Sequence, residues 1–141
     1  MWDPHTQSDI NKLEKIQRRG ARFVLRRYHN TSSVDDMINS LGWTSLQDRR
    51  KLARLSMLYK IRHGAVSVEN IKAKLQNPPA RQRRGHDQQY SQIRCKTQYQ
   101  QFSFLPRTIK EWNTLSQQTV EASTIDTFVS RASKAVGCSQ Q

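Results

Sequence analysis

Five cations between Lys12 and Arg26 share one helical face, and that arrangement constrains the chain more than any other feature of its sequence. At 100° per residue, Lys12, Lys15, Arg19, Arg22 and Arg26 fall within about 80° of one another. Ile10, Leu13, Gln17, Gly20, Ala21, Val24 and Tyr28 fall on the opposite side, so the spacing predicts one long amphipathic helix over roughly residues 7–28. Thr6 or Ser8 supplies its N-cap, and Asp9 suits its first turn. Solvated helix faces ordinarily mix signs, because opposite charges four residues apart attract and like charges repel. Glu14 is the only acid in this block. The plain account is a solvated face; five aligned cations argue instead for an external anion.

The rest of the composition agrees. Lys and Arg number 24 against 11 Asp and Glu in 141 residues, a formal charge of +13, and a pI near 10.5 implies a polyanionic partner. Positive charge is concentrated in three blocks, Lys12 to Arg27, Arg49 to Arg62 and Arg81 to Lys110, while Thr31 to Thr44 holds Asp35 and Asp36 and no cation. The length suits one compact domain and leaves no room for a polymerase, a kinase or a Rossmann core with a second domain. At 35% apolar residues the core is small. No run approaches the ~18 apolar residues of a membrane span, and Met1-Trp2-Asp3-Pro4-His5 has no secretory n- or h-region. Two cysteines, Cys95 and Cys138, make no disulfide scaffold, so the expected location is intracellular, in the nucleus or the cytoplasm.

The fold class expected is mainly α, a small helical bundle with room for a short β-hairpin around residues 92–105. Residues 1–76 read as a basic helical bundle. Its second helix, Val34 to Leu41, is stopped by Gly42. A third is started by Thr44 and Gln47 in capping-box register and stopped at Gly64. A weaker helix spans Ser67 to Leu75. Residues 77–91, opening on Asn77-Pro78-Pro79, read as an exposed basic loop. Residues 92–137 read as strand and helix packing on the bundle. In that stretch Ile93, Cys95, Thr97 and Tyr99 share one strand face, and 102–105 supplies a second short strand. Pro106 leads a helix burying Ile109 and Trp112, and Ser123 or Thr124 caps one burying Ile125, Phe128, Val129 and Ala132. Residues 138–141 form a frayed tail.

Catalysis has little support in the residues. There is no Gly-rich phosphate loop, no nucleophile elbow and no spaced acid pair on an apolar strand. Asp35-Asp36 follows Ser32-Ser33, where acids simply favour a helix start. Neither a cofactor nor a metal site is expected, since the His and Cys residues lack zinc-type spacing. Helices 34–41 and 45–63 have helix-turn-helix lengths, which would aim Ser45, Gln47, Arg49 and Arg50 at base edges; yet such pairs are common in small bundles. The basic loop is more informative. Arg81, Arg83, Arg84, Arg94 and Lys96 offer phosphate contacts, and Tyr90, Tyr99 and Phe102 offer faces for stacking on unpaired bases, although Phe102, Phe104 and Trp112 also suit a core.

Two groups of phrases resemble a known family. Ile93-Arg94-Cys95-Lys96-Thr97, Phe102-Ser103-Phe104-Leu105-Pro106-Arg107-Thr108-Ile109 and Trp112-Asn113-Thr114-Leu115 look like the closing segment of jockey-like LINE-type (non-LTR) retrotransposon reverse transcriptases. Trp2-Asp3-Pro4, Gln17-Arg18-Arg19-Gly20-Ala21-Arg22-Phe23-Val24, Leu41-Gly42-Trp43 and Arg49-Arg50-Lys51-Leu52-Ala53-Arg54-Leu55 resemble the stretch that follows the catalytic palm in that family. Two departures are Ser116, where the family usually has Pro, and Val129, where it usually has Lys. The resemblance implies a thumb and post-thumb fragment without the endonuclease or the palm. Its helix 7–28 would track a phosphate backbone, and the upstream palm would be a partner in a full-length element.

The expectation is a nucleic-acid-binding C-terminal fragment of a LINE-type RNA-directed DNA polymerase, not itself an enzyme and not bound to membrane. It would grip template–primer or element RNA through Lys12, Lys15, Arg19, Arg22 and Arg26, with Arg81, Arg83, Arg84, Arg94 and Lys96 on a second strand. The alternatives are a helical protein-interaction domain and a helix-turn-helix DNA-binding regulator.

Overall fold

The computed structural model describes residues 3–29, 33–78 and 85–137. Among them the chain is mainly helical, with eight helices and no strand. Two compact units divide at residues 50 and 51, inside one continuous helix.

The first unit, residues 1–50, contains α1 (Gln7–Leu25), α2 (Val34–Ser40) and the start of α3 (Leu46–Arg62). Thr6 is the N-cap of α1, its hydroxyl oxygen accepting from the Asp9 amide. The helix stops three residues short of Tyr28 because Arg26 takes a left-handed conformation, φ 50°, and the Arg27 amide bonds back to the Arg22 carbonyl. Ile10, Gln17 and Ala21 are the residues α1 buries, and α2 adds Met37, so this core is small. Trp43 lies over Gly20, where an added methyl would sit 3.8 Å from the indole. Gly42, at φ 63°, ends α2 by sending its own amide to Asn39 and the Trp43 amide to Ile38. The cap of α3 is Ser45, paired with Asp48, one residue beyond the register expected from Thr44 and Gln47.

The second unit, residues 51–141, holds the remainder of α3 and five further helices: α4 (Glu69–Lys72), α5 (Gln98–Gln101), α6 (Phe104–Trp112), α7 (Gln117–Val120) and α8 (Ile125–Gly137). Its core gathers Leu55, Leu58, Tyr59, Ile109, Trp112 and Phe128 with smaller neighbours from α7 and α8. The Phe128 ring stacks on Tyr59 at 4.5 Å and on Trp112 at 5.7 Å. Tyr59 also donates its hydroxyl to the Ala122 carbonyl at 2.7 Å. On α3 Leu55, Leu58, Tyr59 and Ile61 are buried, while Met57 is exposed. Thr124 caps α8, its hydroxyl accepting from the Thr127 amide.

The hairpin expected around residues 92–105 does not form among the described residues. Thr97 caps a single helical turn instead, accepting from the Gln100 amide, and of the expected second strand Phe102 ends that turn while Phe104 and Leu105 open α6. A strand needs a hydrogen-bonded neighbour. Pro106 sits third in α6, where its missing amide costs no helical bond.

Of the exposed basic loop expected at 77–91, residues 79–84 lie outside the described residues, and several of the others are not exposed. Pro78, His86, Gln89 and Tyr90 are buried. Residues 86–90 run along the end of α6 and are tied to it. Asn113 does most of this work, donating to the Tyr90 carbonyl at 2.8 Å and accepting the Tyr90 amide at 3.0 Å, much as a neighbouring strand would. Trp112 donates its indole N–H to the Gln88 carbonyl, and His86 Nε2 meets the Trp112 carbonyl, both at 3.0 Å. That contact makes Nε2 the protonated nitrogen of His86.

Candidate nucleic-acid interface

The five cations of α1 keep the grouping that helical periodicity gives them. Lys12, Lys15, Arg19 and Arg26 are exposed and Arg22 is half-buried. Lys12 is paired, with Nζ 2.8 Å from Asp9 Oδ1. The Lys12 hydrogen bond is the largest influence on the Asp9 carboxyl, followed by that from Thr6, and both hold it below the usual aspartate value. Both partners are well exposed, so the pair contributes little to stability. Lys15, Arg19, Arg22 and Arg26 make no side-chain hydrogen bond or ion pair among the described residues. The Nε of Arg22 is a buried donor without a partner.

The acid that would balance them is turned elsewhere. Glu14 Oε1 accepts the Gln47 amide at 3.0 Å and so serves the first turn of α3, where a carboxylate is favoured by the helix dipole. Gln17, on the same side of α1, donates to the Thr44 carbonyl at 2.8 Å. Tertiary contacts thus use the polar residues of the inner side and leave the outer cations uncompensated. Arg26 adds a second sign of this priority. A left-handed non-glycine residue costs about 1–2 kcal/mol, so glycine would serve that stop better on local grounds. Beside the cations, Ile16 and Phe23 are 61% and 73% exposed, two turns apart.

The second group expected in the interface is only partly described. Arg81, Arg83 and Arg84 lie outside the described residues. Arg94 and Lys96 are exposed on the segment leading to α5. Of the aromatic residues assigned to base stacking, Tyr90 is buried at 6% exposure, which removes it from such a role. Its hydroxyl accepts from Arg62 at 2.8 Å. Tyr99 is exposed and Phe102 half-buried.

Several cations of α3 are structural. Arg54 is buried and bidentate on Glu111, with its Nη2 2.6 Å from Oε1 and its Nε 3.3 Å from Oε2. Arg107 stands 3.9 Å from the same carboxylate. Arg50 pairs with Asp3 at 3.4 Å. Of the four residues that a helix-turn-helix would present to bases, Ser45 is used as a cap and Arg50 as an ion-pair partner, leaving Gln47 and Arg49 exposed.

Among the described residues no group of three or more His, Cys, Asp or Glu is placed to hold a metal ion, and no helix is long and apolar enough to cross a membrane. Comparison with protein-family models, curated proteins and solved structures finds no match to this chain.

Proposed function

We propose that the chain binds nucleic acid through the outer face of α1, as the thumb-like C-terminal portion of a LINE-type reverse transcriptase, with no catalysis of its own and in the nucleus or cytoplasm. The observation that carries the reading is that Lys15, Arg19, Arg22 and Arg26 stand together on one face while Glu14, the only acid among them, caps α3. A row of uncompensated charges one helical turn apart suits the repeating phosphates of a backbone. The retrotransposon origin rests on the sequence resemblance alone. Arg94 and Lys96 would serve a second strand.

The test is fluorescence-anisotropy binding to single-stranded RNA, duplex DNA and an RNA–DNA hybrid across a salt titration. With about six phosphate contacts, affinity should fall ~10³-fold between 50 and 200 mM salt. A Lys15/Arg19/Arg22/Arg26-to-Gln variant should flatten the salt slope by about four contacts and melt at the parent's temperature. A folded chain that binds none of the three at low salt overturns the reading. The exposed Ile16 and Phe23 favour a second one, in which the same helix face docks on another protein, such as the palm of a full-length element. Binding to that partner would then survive an excess of RNA.

A further inference from the structure

The second unit contains a cleft of about 650 Å³ whose chemistry is not explained by the packing around it. Its apolar walls come from Ile71, Ile93, Phe104 and Pro106, and two cations, Lys74 and Arg94, line it as well. Both cations are exposed, and their side chains make no hydrogen bond or ion pair among the described residues. Among the described residues no carboxylate lines the cleft. Its size falls within the ~300–1,000 Å³ that hold small organic groups.

Two other clefts of this unit lack that combination. One of about 340 Å³ includes Glu111, already committed to Arg54. Another of about 490 Å³ includes Arg62, which is bonded to the Tyr90 hydroxyl. The 340 Å³ cleft also has an aromatic residue, Phe102, and two cations, Lys51 and Lys110, but a carboxylate lines it. The first joins an aromatic surface and apolar walls to two unpaired cations with no carboxylate among its described lining residues. The complementary ligand is flat, largely apolar and attached to an anion.

We propose that this cleft takes one unpaired base of a single-stranded nucleic acid, with the base against Phe104 and Pro106 and its phosphate held by Lys74 and Arg94. The inference rests on the nucleic-acid reading above and adds to it a place where a base, rather than a phosphate backbone, is held. Stacking on an aromatic ring tolerates any base, so the cleft would favour unpaired over duplex strands without reading sequence. Arg94, assigned from sequence to phosphate contact, takes that role here at a defined position.

Cys95 gives the cleft its own reporter. Its thiol lines the cleft, is half-buried and points its hydrogen to the Ile93 carbonyl at 3.4 Å. The chain has two cysteines, so Cys138→Ser leaves Cys95 as the only thiol. The experiment follows the iodoacetamide alkylation rate of Cys95 by mass spectrometry in the full chain carrying Cys138→Ser. Oligothymidylate and an abasic strand of equal length are each added to saturation, as judged by anisotropy. The expected result is that oligothymidylate slows alkylation about ten-fold. The abasic strand should bind and leave the rate unchanged, and Lys74→Gln with Arg94→Gln should abolish most of the protection. Saturation without protection, or equal protection by the abasic strand, overturns the base site while leaving phosphate binding by α1 intact. Failure of both strands to bind at low salt overturns both.

Discussion

The outer face of α1 and the junction of α6 with residues 86–90 are both rich in polar groups, yet they treat them in opposite ways. At the junction nearly every polar atom has a partner. Asn113 pairs with both backbone groups of Tyr90, Trp112 with Gln88 and His86 with Trp112, and Glu111 of the same helix pairs with Arg54 of α3. On α1, Lys15, Arg19, Arg22 and Arg26 have none among the described residues, and Ile16 and Phe23 lie open beside them. Packing accounts for the first set, His86 Nδ1 being a buried atom left without a partner among the described residues. It does not account for the second. Charge alone does not distinguish the two, because Arg54 and Arg19 are the same residue type in neighbouring basic blocks.

If that contrast is right, removing a partner should be costly at the junction and nearly free on α1. The sharpest case is Glu111→Ala, which takes the carboxylate away from the buried Arg54 guanidinium. It should lower stability by about 3–5 kcal/mol, read as a lower urea midpoint. A variant as stable as the parent would break the comparison, since the pair would then be no more structural than an exposed cation.

Asn113→Ala comes next. It leaves the Tyr90 amide and carbonyl without partners in a part-buried place and should cost about 1–3 kcal/mol by thermal melting. A cost near zero would mean that water replaces the side chain and that the remaining contacts of residues 86–90, with Trp112, Gln117, Arg62 and the Asn113 carbonyl, suffice to hold them.

Gly20→Ala is the smallest effect and has the opposite sign. The new methyl would meet the Trp43 ring at an ordinary contact distance of 3.8 Å. Alanine is the better helix former, so stability should rise by about 0.5–1 kcal/mol while RNA affinity stays the same. A loss of stability would show that Trp43 needs the bare backbone there.

Much of the local structure is readable because its signals are short-range. The helical course of α1, the Gly42 and Gly64 stops, and the burial of Ile109, Trp112, Phe128 and Ala132 follow from spacing within a few residues, whereas Val24 and Tyr28, which the same spacing puts on the apolar face of α1, are exposed. The segment 92–105 was misleading for the opposite reason. Alternation of Ile93, Cys95, Thr97 and Tyr99 marks a strand only if a partner is available, and the candidate partner joins α6 instead. The polar neighbours of Tyr90 point to a loop. Those neighbours are polar because they bond the end of α6, more than twenty residues away in sequence.

The sequence by itself determined that the chain would be helical and basic, and that five cations of α1 would share a face, because a fixed rotation per residue decides that geometry without reference to the rest of the fold. Only the tertiary structure decided which cations are structural and which stand free. Arg54 is neutralised by Glu111, from a distant helix, and Glu14 is turned from its neighbouring cations to the start of α3. Both choices depend on which residues the packed chain brings within about 3 Å, the range over which a hydrogen-bonded charge is satisfied, and no local pattern encodes that.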